Sequence, residues 1–131
     1  MKRLPLFGIL LFVFFQGVTQ GGQFTLGEKE AGQKIVLHCG DVLEVRLPAN
    51  PTTGFLWSVS SSKTGVVTQQ GNARYQQSAK EKGLLGGGGE EIWHYRAEHD
   101  GQTVLTFSYA RPWEKGIAPA RVFEWSVTVI P

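Results

Sequence analysis

Apolar residues recur in this chain with a period of two. Leu43, Val45 and Leu47 share one side of an extended chain, with Glu44 and Arg46 on the other. Phe55, Trp57 and Val59 do the same against Ser58 and Ser60, and Phe123, Trp125, Val127 and Val129 against Glu124, Ser126 and Thr128. Strand side chains alternate across the backbone, so each run reads as a strand with one dry and one wet face. Less regular strands are expected around 24–28, 34–38, 73–78, 91–97 and 103–109. No stretch has the 3.6-residue periodicity of an amphipathic helix.

Short strands separated by Gly, Pro and Asn clusters point to an all-β antiparallel sandwich or barrel. Trp57 suits a sandwich core. The chain has one cysteine, Cys39, so an intramolecular disulfide is impossible and stability must come from packing. A Cys…Trp…Cys framework is absent, which argues against a true immunoglobulin domain. The architecture expected is an immunoglobulin-like antiparallel β-sandwich, one domain, with Cys39 as a small half-buried residue near a strand end.

The first residues read differently. Lys2 and Arg3 precede an apolar run from Leu4 to Phe15, and Gln16 to Gly22 is small and polar. This is the layout of a secretory signal peptide, with cleavage expected between Gly17 and Gly22. Residues 1–20 are thus assigned to the leader and 21–131 to the domain, placing the protein outside the cytoplasm. The chain has 13 Lys plus Arg against 11 Asp plus Glu, and without Lys2 and Arg3 the count is 11 against 11. A near-neutral domain with no basic stripe and no amphipathic helix gives no reason to expect nucleic acid or a membrane as partner. The roughly 110 remaining residues suffice for a two-layer core. A monomer is expected.

Three segments fall outside the strand pattern: 48–54 (PANPTTG), 80–90 (KEKGLLGGGGE) and 110–120 (ARPWEKGIAPA). The last two are longer than a hairpin needs, and loops on a rigid scaffold are where binding usually resides. In the first, Pro51 fixes its own φ and pushes Asn50 to an extended form, Thr52 and Thr53 are stiff at χ1, and Gly54 can take positive φ. The expected product is a rigid tip, although a plain turn would also satisfy the pattern. In the second, Leu84 and Leu85 precede four glycines, Gly86 to Gly89. No P-loop signature accompanies them, so the choice lies between a flexible hairpin and close backbone approach to a partner. In the third, Pro112 stiffens the chain beside Arg111 and Trp113, residue types enriched at binding hot spots. Trp113 could equally fold back as a lid on the core.

Catalytic patterns are missing. The three histidines, His38, His94 and His99, show no HExxH or paired Cys/His spacing, so no zinc site and no cofactor are expected. His38 and Cys39 are adjacent in a strand and point to opposite faces, which does not make a dyad. No GxSxG supports a serine triad.

Taken together and in order, NPTTGF (50–55), LLGGGGEE (84–91) and YARPW (109–113) resemble the chagasin family of cysteine-peptidase inhibitors. The family pattern is NPTTG plus an aromatic, then GxGG, then RPW. All three motifs are intact, with Gly87 in the variable place and Phe55 as the aromatic. The resemblance implies an immunoglobulin-like sandwich with three loops at one end, and papain-like cysteine peptidases as partners. It further implies a reversible, non-covalent wedge: Asn50, Pro51, Thr52, Thr53, Gly54 and Phe55 at the centre of the target's cleft, Leu84, Leu85 and Gly86 to Gly89 on one side, Arg111, Pro112 and Trp113 on the other. The residues alone leave open a secreted sandwich that binds a carbohydrate or a protein receptor through the same loops.

Overall fold

The structure is a computed structural model that describes residues 21–78 and 88–131. Its strands are β1 (Gln23–Leu26), β2 (Lys34–His38), β3 (Val42–Ala49), β4 (Leu56–Ser61), β5 (Val67–Gln69), β6 (Arg74–Gln77), β7 (Gly89–Ala97), β8 (Gly101–Ala110) and β9 (Arg121–Ile130). Short 3₁₀ turns occupy Glu28–Glu30 and Pro51–Thr53. One sheet runs β1-β3-β7-β5, with β6 also pairing β7; the other runs β2-β9-β8-β4. β5 escapes the sequence reading because three residues are too few to establish a period.

The sandwich is the one expected, but its pairing is not wholly antiparallel. β1 lies parallel to β3, and β2 parallel to β9. The first three strands switch sheets at each step, and a chain that crosses between sheets is not bound by the hairpin rule that forces neighbours antiparallel. The remaining pairs are antiparallel.

The alternating residues meet between the sheets. Leu43, Val45 and Leu47 face Leu105, Phe107, Trp125, Val127 and Val129, with Trp57, Trp93 and Tyr95 filling the same layer. Both inward indoles that reach a carbonyl use it: Trp125 Nε1–H donates to the Glu30 carbonyl at 2.7 Å and Trp57 Nε1–H to the Pro48 carbonyl at 3.0 Å. A buried indole N–H without a partner would cost about 1–3 kcal/mol. Asp41 is buried and holds the start of the domain: its carboxylate accepts from Gly22 N–H at 2.6 Å and His38 N–H at 2.8 Å. Residues 1–20, the leader of the sequence reading, lie outside the described residues, among which no helix is long and apolar enough to cross a membrane. Cys39 is exposed rather than half-buried, because it follows β2 in a turn.

On the outer face of the β3–β7 pair, Glu44 lies 3.1 Å from Arg46 and 3.0 Å from His94. Burial pushes the Glu44 carboxyl up, but hydrogen bonds and charge from Arg46 and His94 outweigh it and hold the group below the usual range. His94, one of the three histidines weighed in the sequence, is therefore a sheet-surface partner of Glu44.

Among the described residues, one buried core side-chain group is left unpaired. The Tyr95 hydroxyl is buried with no hydrogen-bond partner, and burial pushes its pKa up to about 12. The folded state thus holds this proton more tightly than the unfolded chain, so its contribution is intact below about pH 10 and is lost as pH rises towards 12. Tyr95→Phe removes both the orphaned hydroxyl and the titration. We expect stability at pH 7 unchanged or raised by up to about 1 kcal/mol, and a smaller loss between pH 10 and 12, both read by urea unfolding. A loss of more than about 2 kcal/mol at pH 7 would show that the hydroxyl has a partner after all.

Candidate functional site

The 50–55 segment folds around a 3₁₀ turn, Pro51–Thr53, closed by hydrogen bonds of its own. Asn50 is extended, as a residue before proline should be, and its side-chain oxygen accepts from Thr52 N–H at 3.3 Å and from the Thr52 hydroxyl at 2.7 Å. The Thr53 hydroxyl donates to the Asn50 carbonyl at 2.7 Å. Both threonine protons are thus used within the turn. What the tip offers outward is its methyl groups and hydroxyl lone pairs, not the free hydroxyl donors that the side chains alone suggest. Gly54 ends the turn at φ 84°, the left-handed conformation that favours glycine.

The third loop braces this turn. Arg111 Nε–H donates to the Thr53 carbonyl at 3.0 Å, and its guanidinium lies 4.4 Å from the centre of the Phe55 ring. Glu114 holds the other end of that guanidinium at 3.4 Å. Trp113 lies across Gly54: a Cβ there would sit 2.4 Å from Trp113 Cη2. Glycine at this position is required twice, by φ and by the ring. Trp113 is nevertheless 64% exposed, so it is a cover on the turn and not a lid on the core.

The glycine-rich segment reaches the same end. Gly89 opens β7 between Ala49 and Gln77, and a Cβ on it would lie 2.2 Å from the Gln76 carbonyl. Gly88 accepts from Ser78 N–H at 3.1 Å. Leu84, Leu85, Gly86 and Gly87 lie outside the described residues. The root of this loop therefore stands beside the root of the turn on one side, while Arg111 to Trp113 stand on the other. An open groove of about 650 Å³ runs between the turn and the β6–β7 hairpin, lined by Ala49, Asn50, Gln77, Gly89, Tyr109 and Arg121 among others.

Tyr109 was not among the candidates read from sequence, yet it joins core to site. It stacks on Trp57 at 4.6 Å and on Phe55 at 5.1 Å, and its hydroxyl accepts from Asn50 N–H at 3.0 Å. Its place at the head of the YARPW motif, two residues before Arg111, was the available signal. Arg121, paired with Glu28, was also missed. Among the described residues no group of three His, Cys, Asp or Glu side chains gathers to hold a metal.

Residues 36–129 match the family described as "Chagasin family peptidase inhibitor I42". The chain belongs to that family. Its members are protease inhibitors, not enzymes. Chagasin of Trypanosoma cruzi is 32% identical over 87 residues, 63% of this chain and 76% of that one. The crystal structure of a cysteine protease inhibitor from Entamoeba histolytica aligns with TM-score 0.76 at 25% identity, over 83% of this chain and 96% of that one. PbICP-C, solved in complex with falcipain-2, shares the fold at TM-score 0.54 and 19% identity, over 88% and 96% of the two chains. The chagasin-family match spans all three loop motifs and begins within β2.

Gly54→Ala should force Trp113 off the turn. The left-handed backbone alone costs a non-glycine residue about 1–2 kcal/mol. We expect a small loss of global stability, a larger gain in acrylamide quenching of Trp113, and shifted amide resonances confined to 50–55 and 109–114. Unchanged quenching and resonances would mean that the ring does not rest on Gly54.

Proposed function

We propose that this chain is a secreted, reversible inhibitor of papain-like cysteine peptidases that occludes the cleft with the three loops. The carrying observation is the braced turn: Pro51 to Thr53 form a projecting 3₁₀ unit fixed by Asn50, Arg111 and Trp113. A peptidase cleaves chain that can lie extended in its cleft. This tip cannot extend without breaking its own hydrogen bonds and uncovering Gly54. It therefore enters as a plug, with little entropy left to lose on binding.

In this reading Thr52 and Thr53 stand nearest the catalytic cysteine and histidine of the target, presenting methyl groups and acceptor lone pairs. The 84–89 segment lies along one wall, where glycine lets backbone approach backbone in the manner of strand addition. Arg111 to Trp113 lie along the other, Trp113 supplying the exposed aromatic area. A contact of roughly 800 Å² per partner is ordinary for a protease inhibitor. The complex of PbICP-C with falcipain-2 supports this type of partner. The leader-like residues 1–20 support secretion.

The experiment is titration of papain activity with the purified protein, with trypsin as the control. Stoichiometric loss of papain activity alone is expected. Thr52→Ala with Thr53→Ala should weaken inhibition by tenfold or more, about 1.4 kcal/mol, at unchanged melting temperature. Trp113→Ala should cost about 2 kcal/mol or more if it is a hot spot, part of it through loosening of the turn. Wild-type inhibition by the double threonine variant would remove the tip from the mechanism.

A further inference from the structure

The outer face of the β2-β9-β8-β4 sheet changes character along its length. Its middle rows carry hydroxyls: Ser60 beside Thr106, and Ser58 beside Ser108. Towards the turn it becomes apolar. Leu56, 55% exposed, stands beside Ala110, and Val122, 48% exposed, stands beside Ser108 in the next row. Ile117, 63% exposed, lies in the loop that follows β8. Between that loop and the sheet is a hollow of about 250 Å³, lined by Phe55, Ala110, Arg111, Glu114, Ile117 and Ala120 among others.

Eight large apolar side chains are exposed among the described residues; of these Ile117 lines the hollow, Leu56 pairs with the hollow's Ala110, and Val122 stands beside Ser108 on the adjoining sheet face. None seals the core, since Trp57, Tyr109 and Phe123 fill the inner rows behind them. An apolar cluster of this kind, rimmed by hydroxyls, marks a contact surface. Phe55 and Arg111 belong to both the hollow and the braced turn, so the two surfaces are continuous. The Arg111–Glu114 pair at its mouth is internally neutral and neither attracts nor repels charge.

We infer that this corner is a second docking surface for the target peptidase, accepting an apolar side chain from the rim of the cleft and setting which peptidases are held most tightly. The inference rests on the inhibitory reading above: once the turn fills a cleft, the wall beside Arg111 must come against this corner.

The test is inhibition of a panel of papain-type peptidases by Leu56→Asp and Ile117→Asp, with Val36→Asp at the far edge of the same sheet as control. We expect both corner variants to raise Ki by about tenfold or more against the most tightly inhibited peptidase, and unequally across the panel, with Val36→Asp at the wild-type value. Wild-type Ki values for both corner variants overturn the inference while leaving the inhibitory reading standing. A wild-type protein that inhibits no member of the panel overturns both. If Ile117→Asp lowers the melting temperature, a photo-cross-linker at 117 replaces it: an adduct with bound peptidase, absent from a cross-linker at 36, is expected, and its absence overturns the inference. A concentration-dependent dimer abolished by Ile117→Asp would assign the corner to a second copy of the chain and overturn it as well.

Discussion

The site depends on one side chain that belongs to both core and tip. Tyr109 stacks on Trp57 below and Phe55 above, and its hydroxyl receives the Asn50 amide. Below it the rings continue, Trp57 against Trp93 and Trp93 against Phe107. Above it the Arg111 guanidinium lies over Phe55. Each ring pair is worth about 0.5–1.5 kcal/mol beyond the area it buries. The column therefore runs unbroken from the centre of the sandwich to the projecting turn. A loop attached to a scaffold only through its two chain ends would move with its own entropy; this one is tied through side chains to the most rigid part of the molecule.

Within the tip, shape and orientation have different sources. The turn's shape is local: Asn50 caps it, Pro51 starts it, the threonine hydroxyls close it and Gly54 ends it. Its orientation is not local, because Arg111 and Trp113 reach it from a segment nearly 60 positions later. Substitutions at Gly54, Arg111 and Trp113 should accordingly be non-additive, since each removes part of one interlock. The loss on truncating Trp113 likewise mixes a missing contact with a loosened turn, and only a double-mutant cycle with Gly54 separates them.

The alternation at Leu43, Val45 and Leu47 and at Trp125, Val127 and Val129 was enough to read two dry faces and hence a sandwich. It was not enough to read the parallel edges, because register across a sheet crossover leaves no local trace. The turn was legible in NPTTG, since proline, β-branching and glycine each act on their own residue. The brace was not, because Trp113 over Gly54 and Arg111 on Thr53 are long-range contacts, and the residues alone let Trp113 be a core lid. Tyr109 was hidden for a related reason. A strand pattern says which face a residue takes, not that its hydroxyl stands at the end of that face.

Among the described residues, charge around the turn is largely paired off. The turn itself carries none, Arg111 is answered by Glu114, and Arg121 by Glu28. The domain after residue 20 has equal numbers of acidic and basic side chains. Long-range steering raises association rates only where one sign of charge is left unbalanced, and it collapses with salt. A partner must therefore be held after encounter, by shape and apolar area, and selectivity should reside in dissociation rates. This favours a tip that is rigid before binding. Where no field guides approach, the fraction of collisions that dock depends on the turn already having the form that fits, and the aromatic column beneath it keeps that form in the free protein.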